Sequence, residues 1–416
     1  MLEKINSVLC GVALPLFMGG AGVFFLFKLR LFYILKPRRT LKTVLHSSGG
    51  FRALCVALAG TLGVGNIVGV CSAIIMGGAG AVLWMLISAL IAMGIKYAET
   101  YLAIRHRRGR VGNYYGGAPY YISDACGGGR CGMALGGVFA VLCVLNSLST
   151  GNLVQINSIS GFLTQGRLLF GIIFAMAVAL VVSGGEKRIQ AVSSVLIPIL
   201  TILYLFISLF IILSNSERLC VVISRIFNEA FSLKSAVSGA CGFGISSAIR
   251  YGFSRGLLSN EAGCGTSPTA HASSALDAHA QGCLGIFEVF WDTVVLCSIT
   301  ALVVLIADTG STNPIMLAVS SYGKFTGDIG RGFIVGACVL FALATVCCQY
   351  YYGERCLRFL SRSVKVKHAY SIIFIFVCVI SSIISNELMW HISDFTVAFL
   401  ALYNMIFLLI LSKEVA

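Results

Sequence analysis

The chain has 416 residues, of which 58% are hydrophobic and only 11% are charged. A soluble domain typically carries about 25% charged residues, so this composition indicates a polytopic membrane protein whose single domain is the helix bundle itself. The net charge of +14 does not predict nucleic-acid binding, because the basic residues lie in short clusters between apolar runs. Most of the 16 cysteines lie inside apolar runs without metal-ligand spacing and are interpreted as small apolar residues.

Eleven apolar segments are long enough to cross a bilayer, which takes about 20 residues. They lie near residues 8–27, 53–76, 80–103, 133–163, 167–184, 189–213, 236–258, 280–306, 331–352, 369–386 and 389–411. The first segment lacks a small-residue cleavage site, and its charges follow it rather than precede it, so it is interpreted as a membrane helix and not a signal peptide.

The basic residues predict the orientation of the chain. When the connecting loops are assigned alternately to two sides, 22 of the 30 basic residues fall on one side. Basic residues mark cytoplasmic loops, which places the N-terminus outside and the C-terminus in the cytoplasm of a bacterial-type inner membrane. Two long outside loops, 214–235 and 307–330, contain short amphipathic stretches that could cap a pathway. The cytoplasmic stretch GGAPYYI, residues 116–122, is expected at the interface, with Tyr120 and Tyr121 among the headgroups.

The second and seventh segments are both unusually rich in glycine, and they lie five segments apart with opposite predicted orientations. Two five-helix halves of opposite orientation, each opening with a breakable helix, are typical of an inverted-repeat transporter. The sequence therefore predicts an all-α membrane domain with a peripheral helix at 8–27, a first repeat at 51–213 and an inverted second repeat at 236–411. The alternative is that these glycines only permit close helix packing.

A broken helix within the membrane frees backbone groups that can bind charged ligands. In the stretch TLGVGN, the amides of Val64 and Gly65 are the expected donors to a carboxylate. The carbonyl groups expected to bind sodium are those of Ala59, Gly60, Thr61 and Leu62.

Polar residues within two other segments are further candidates. Asn152, Gln155 and Asn157 lie deep in the fourth segment, where they either face a cavity or join helices. Glu288 and Asp292 lie four residues apart on one face of the eighth segment. Because burying a carboxylate in a membrane costs free energy, we expect the two acids to form a site or gate rather than a structural ion pair.

Several motifs in the same order resemble the alanine or glycine:cation symporter family over residues 8 to about 411. They are GTLGVGNIVGV with GGAGAVLWM, GNLVQINS, AIRYGFSRGLLSNEAGCGTSPTAHA, EVFWDTVVLCSITAL and YYYGE. The resemblance implies a LeuT-type fold of five-plus-five inverted repeats in segments two to eleven, with one peripheral helix. It also implies symport of sodium with a small neutral amino acid, without any enzymatic activity or cofactor apart from sodium as the coupling ion.

The resemblance also implies site residues. The substrate-binding set is Thr61, Gly63, Val64, Gly65, Gln155, Gly242 and Phe243. One sodium is expected among Thr61, Asn66, Ser238 and Asp292, and a second between the carbonyls of Ala59 and Leu62 and the ninth segment at Thr345. The stretch from Ser259 to Gly263 is expected near the cytoplasmic end, with a role in gating.

The chain departs from the family pattern at two site positions. Val64 replaces the threonine of the family's TVGTGN, which keeps an amide donor but loses a hydroxyl. Ala344 replaces the serine that usually precedes Thr345, which removes an expected ligand of the second sodium. The expected partners are thus a small neutral amino acid, sodium and the lipid bilayer, with no nucleic acid. The sequence leaves three points open: the preferred amino acid (alanine, glycine or D-alanine), coupling to protons instead of sodium, and the oligomeric state.

Two other classes of function fit the sequence less well. A membrane-embedded enzyme would use Glu288, Asp292 and His271, but no nucleophile or metal motif accompanies them. A channel fits less well, because paired broken helices suit a rocking motion better than an open pore.

Overall fold

The computed structural model describes residues 5, 6, 8–110, 113–163, 165–231 and 247–415. In these residues the chain is helical apart from loops and one antiparallel hairpin, so the predicted all-α class is confirmed. The first half contains α1 (Leu14–Lys28), α2 (Phe32–Leu35), α3 (Pro37–His46), α4 (Phe51–Thr61), α5 (Val68–Gly77), α6 (Gly80–Arg105), β1 (Arg108–Arg110), β2 (Asn113–Tyr115), α7 (Ala118–Ala125), α8 (Arg130–Leu148), α9 (Val154–Ser160), α10 (Arg167–Ser183) and α11 (Gly185–Ser214). The second half contains α12 (Leu219–Ala230), α13 (Ser247–Asn260), α14 (Pro268–His271), α15 (Ala278–Val289), α16 (Ser298–Ala307), α17 (Pro314–Leu360), α18 (Val364–Ser381) and α19 (Asn386–Ile410).

Short turns of other helix types interrupt or extend these helices. The 3₁₀ turns are Ser48–Gly50, Val64–Asn66, Ser216–Arg218 and Leu411–Glu414. The π-helical turns are Leu9–Ala13, Ser149–Leu153 and Phe290–Cys297. Turns of π-helix inside longer helices occur often at functional sites, and the last two lie beside Gln155 and around Asp292.

Eight helical stretches in the described residues are long and apolar enough to cross a membrane, and a ninth crossing is formed by α4 and α5 together. The count of eleven predicted crossings is not confirmed. The helix α10, with 17 residues, is shorter than the others, and the seventh predicted segment is described only from residue 247 onward.

The second predicted segment is broken, as the glycine pattern predicts. The helices α4 and α5 meet at an angle of 61°. All residues from 53 to 73 are buried, so the break lies inside the bundle. The helix α4 packs on α11 and α17, whereas α5 packs on α6, α13 and α17. The break is therefore enclosed by helices from both predicted halves of the chain.

The two predicted outside loops contain helices. In the first, α12 packs on α6, where the indole Nε1 of Trp84 donates to the carbonyl of Ala230 at 2.9 Å. In the second, α17 begins at Pro314 and is kinked at Gly327, which has a φ of 63°. The predicted loop 307–330 thus becomes a helical arm that continues into the ninth span.

The expected position of the Tyr120–Tyr121 pair is half wrong. Tyr120 is partly exposed, but Tyr121 is fully buried, and its hydroxyl donates to the Oδ1 of Asn404 at 2.5 Å. The two side chains differ because α7 packs against α8 and α19, which covers only one side of this short helix.

The close contact between α12 and α6 requires a glycine at position 80. A Cβ atom at Gly80 would overlap the backbone nitrogen of Ala230 and lie 2.5 Å from the carbonyl carbon of Glu229. We expect Gly80→Ala to push α12 away from α6 and to lower the free energy of unfolding by about 1–3 kcal/mol, the usual cost of overpacking. The measurement is the midpoint of thermal unfolding of the purified protein. Gly336→Ala is the matched control, since no atom lies within 4 Å of a Cβ there, and an equal loss in both variants would contradict the prediction.

Candidate functional site

The break between α4 and α5 changes the hydrogen bonds of the backbone. In a continuous helix the amides of Gly63 and Val64 would donate to the carbonyls of Ala59 and Gly60. Here the Gly63 amide donates to the carbonyl of Thr61 at 2.8 Å, and the Val64 amide donates to a side chain. The carbonyls of Ala59 and Gly60 are therefore released from the helical pattern inside a buried region.

The side chain that binds the Val64 amide is Gln155. Its Oε1 accepts from the Val64 nitrogen at 2.9 Å, although 91 residues separate the two positions. A Cβ atom at Gly63 would collide with this oxygen and lie 2.8 Å from the Oγ1 of Thr345. The absence of a side chain at Gly63 thus allows Gln155 and Thr345 to reach the break from two other spans.

The three polar residues of the fourth segment have different tasks. The amide of Asn152 donates to the carbonyl of Phe374 at 3.0 Å, and that of Asn157 donates to the carbonyls of Ser381 and Ile384 at 3.0 and 2.8 Å. These two side chains join their helix to α18 and its C-terminal turn. Of the three, Gln155 is the one that contacts the break.

Asp292 and Asn66 form the second polar contact at the break. The carboxylate of Asp292 accepts from the Nδ2 of Asn66, the hydroxyl of Ser259 and the hydroxyl of Thr293, each at 2.7 Å. The Oδ1 of Asn66 is buried and has no hydrogen-bond partner in the described part of the chain. A carboxylate beside an unpartnered amide oxygen is an arrangement that suits a hard cation such as sodium.

The two threonines predicted to bind sodium bond within their own helices. The hydroxyl of Thr61 donates to the carbonyls of Ala57 and Leu58 at 3.4 and 3.3 Å, and that of Thr345 donates to the carbonyl of Phe341 at 3.0 Å. Each hydroxyl oxygen keeps a lone pair that could accept a cation. The predicted residues Ser238, Gly242 and Phe243 lie outside the described residues.

A small internal cavity adjoins the break. Its volume is about 10 Å³, which is roughly the room needed by one water molecule. The lining residues are Leu62, Gly63, Asn66, Ile67, Tyr204, Leu296 and Phe341. An amino acid does not fit this volume.

Glu288 does not join Asp292 at the break. It forms a fully buried ion pair with Lys96, with an oxygen–nitrogen distance of 3.3 Å. Its second oxygen lies 3.1 Å from the Nε2 of His271, and Ser267 bridges the pair by donating to Glu288 and accepting from Lys96. Of the two acids, only Asp292 lies at the break, whereas Glu288 is paired with Lys96. A role of this ion pair in gating stays a prediction.

A third buried group connects this region to the break. Glu261 accepts from the hydroxyl of Thr266 at 2.6 Å and from the amide of Gln349 at 2.7 Å. The same Gln349 amide lies 3.4 Å from the released carbonyl of Gly60. The stretch expected to act in gating is thus joined to the break through one side chain of α17.

Two charged residues of this region, Lys96 and Glu99, were missed from the sequence. Glu99 is fully buried and accepts from the backbone amide of Gly265 at 2.7 Å and from the amide of Asn404 at 2.6 Å. Both lie within the third apolar segment, where ionisable residues are rare and usually functional or paired. That rule would have identified them, but it would not have named their partners.

Comparisons with known proteins identify the family of this chain. The sequence profile described as the sodium:alanine symporter family matches residues 1–416. The sodium/alanine symporter AgcS of Methanococcus maripaludis is 32% identical, with 100% of this chain and 95% of that protein covered. The probable sodium/glutamine symporter GlnT of Bacillus subtilis is 30% identical, with 99% of this chain and 87% of that protein covered.

A solved structure supports the architecture. The crystal structure of MhsT in complex with L-phenylalanine superimposes with a TM-score of 0.57 and covers 88% of both chains, at 15% sequence identity. At this identity the likeness concerns the fold alone, and the fold is of the LeuT type. Since the family profile spans the whole chain, this chain belongs to the sodium:alanine symporter family and is a membrane transporter rather than an enzyme.

Proposed function

We propose that this protein carries a small neutral amino acid, alanine or glycine, together with sodium into the cytoplasm by alternating access. The observation that carries the proposal is the bond between the Val64 amide and the Oε1 of Gln155. In this bond an oxygen atom accepts from the Val64 amide, which is the group predicted from the sequence to bind the substrate carboxylate.

The substrate carboxylate would replace this amide oxygen. A carboxylate forms stronger bonds to a backbone amide than a neutral oxygen does, especially at the start of a half-helix. Once displaced, Gln155 could donate from its Nε2 to the substrate. The named substrates of related proteins, alanine for AgcS and glutamine for GlnT, support an amino acid but do not select one.

Sodium would bind next to the substrate through Asn66 and Asp292. A cation there would give the unpartnered Oδ1 of Asn66 a partner and would neutralise the buried carboxylate. A second sodium would bind the carbonyls of Ala59 and Leu62 near Thr345, where the Ala59 carbonyl has lost its helical donor. Both sites adjoin the break that binds the substrate, so a cation can stabilise the conformation with highest substrate affinity.

Proton coupling is the second candidate. Ala344 lacks the hydroxyl expected at the second sodium site, and one relative, YrbD of Bacillus subtilis, is named a putative sodium/proton-dependent alanine carrier. The buried ion pair of Lys96 and Glu288 offers ionisable groups near the same pathway.

The first experiment measures uptake of radiolabelled alanine into proteoliposomes. With a sodium gradient we expect accumulation, and with choline in place of sodium we expect none. A proton gradient without sodium is the second arm. Accumulation driven only by protons would replace the sodium hypothesis, and no uptake of any small amino acid by folded protein would contradict the proposed function.

Gln155→Glu tests the substrate site. At pH 8 the introduced carboxylate would occupy the Val64 amide more strongly than the native amide does and would repel the carboxylate of the substrate. We expect the apparent Michaelis constant for alanine to rise by at least about tenfold. Gln165→Glu, which adds the same charge at an exposed position, serves as the control. An unchanged constant in Gln155→Glu would show that this side chain does not face the substrate.

Asp292→Asn tests the sodium site. The change removes the negative charge and introduces a donor among three existing donors, so we expect the sodium concentration for half-maximal uptake to rise by at least about tenfold. Asp308→Asn removes an exposed carboxylate and should leave this concentration unchanged. If both variants show the native sodium dependence, the assignment of Asp292 is wrong.

A further inference from the structure

A pocket of about 690 Å³ lies away from the break, between the end of α17, the start of α18 and the β-hairpin. Ligand pockets in proteins typically measure about 300–1,000 Å³, so this space exceeds what a single small ion requires. The pocket lies on the side of the molecule that the basic loops predict to be cytoplasmic. Neither the predicted substrate site nor the predicted sodium sites include any of its lining residues.

Most of the charged residues that line the pocket are cations. Its five basic residues are Arg108, Arg355, Arg358, Arg362 and Lys367. The one carboxylate in the lining, Glu354, forms ion pairs with Arg358, at 2.7 Å, and with Lys367, at 2.9 Å. Behind the lining, Asp124 binds Arg108 and Glu186 binds Arg355. Three carboxylates therefore face five cations, which leaves an excess of positive charge.

Arg362 contributes one charge of this excess. Within the described ranges of the chain, no acidic side chain lies within salt-bridge distance of its guanidinium group. It lies in the short turn between α17 and α18, two residues before α18 begins at Val364. Ser363, the residue before α18, makes no side-chain cap. The free amides of this helix end therefore add to the positive potential of the pocket.

Apolar and aromatic groups border the same pocket. Three exposed apolar side chains lie in its lining: Met133 is 43% exposed, Leu360 is 44% exposed and Val364 is 66% exposed. Tyr120 and Phe359 pack edge to face in the wall, with ring centroids 5.0 Å apart. Burial raises the pKa of Tyr120, so its hydroxyl stays a neutral donor.

The two helices that start beside the pocket continue with exposed apolar faces. On α8 the exposed positions are Met133, Val138, Val141 and Leu145, and on α18 they are Val364, Ile372, Ile373 and Phe376. In a membrane these faces contact acyl chains. A ligand with a charged end and a hydrocarbon tail would therefore have suitable surroundings at both ends.

We propose that this pocket binds the phosphate headgroup of an anionic membrane lipid. Arginine side chains match phosphate oxygens in geometry and charge, and basic pockets between spanning helices on the cytoplasmic side are suited to anionic headgroups. A soluble phosphate would satisfy the cations but would leave the exposed apolar border unused. The chemistry of the border therefore favours a lipid over a free anion.

The test measures lipid binding to the purified full-length protein by native mass spectrometry. The probes are phosphatidylglycerol and phosphatidylcholine with identical acyl chains. We expect phosphatidylglycerol to bind more tightly, and we expect Arg362→Gln to weaken its binding about fivefold, the effect of one basic residue near an anionic lipid. The double variant Arg108→Gln with Arg362→Gln should weaken it about 25-fold. Lys42→Gln removes an exposed charge from α3, on the same predicted side, and should change the affinity less than about twofold.

Three outcomes would overturn the proposal. Equal binding of the two lipids would remove the need for a headgroup site, and native affinity in the double variant would place the site elsewhere. In a separate arm, inorganic phosphate replaces the lipid. If it raises the unfolding temperature of the native protein but not that of the double variant, and phosphatidylglycerol does not bind, the ligand is a soluble anion. Binding is measured without transport, so this result is independent of the proposed symport, and the exposed Arg362 allows the single variant to fold.

Discussion

The rest of the site depends on one constraint: a helix is broken where no bulk water reaches its backbone. Unpaired amides and carbonyls are costly in such surroundings and must find partners. Here the partners come from distant parts of the sequence. Gln155 accepts from the Val64 amide, and Gln349 approaches the carbonyl of Gly60. A substrate or ion that supplies a better partner could replace these contacts, which supports the proposal that the break is the binding site.

The same constraint explains why the bundle contains so many buried polar groups. One set stabilises the scaffold, as Asn152 and Asn157 do by donating to backbone carbonyls of the neighbouring span. Another set lies around the break, where Asp292 gathers three donors and Asn66 retains an unpartnered oxygen. The amides of the first set are bonded to the backbone, whereas the second set keeps an unpartnered oxygen, which supports the proposed cation site. The difference identifies the residues on which transport is proposed to depend.

Glu288 and Asp292 show how a shared helix face can serve two purposes. One turn separates them, yet Glu288 pairs with Lys96, and Asp292 binds neutral donors around the break. A buried ion pair contributes little net stability but is costly to break, so it suits a contact that either stays formed or separates completely. Such a contact lies next to the stretch expected to act in gating, which supports a role for it as a two-state element in the proposed alternating access.

The sequence by itself determined the class of protein, the all-α bundle, the broken helix and the family. These follow from local properties: apolar length, glycine content and short motifs. The family resemblance predicted that Val64 and Gln155 share the substrate site and that Asn66 and Asp292 share a sodium site, and each pair is in contact in the structure. Only the tertiary structure decided which acid pairs with Lys96, that Asn152 and Asn157 join helices, and that Tyr121 is buried. Those choices depend on which side of each helix meets a neighbour, and that is set by packing between segments up to about 300 residues apart, as for Gln349 and Gly60.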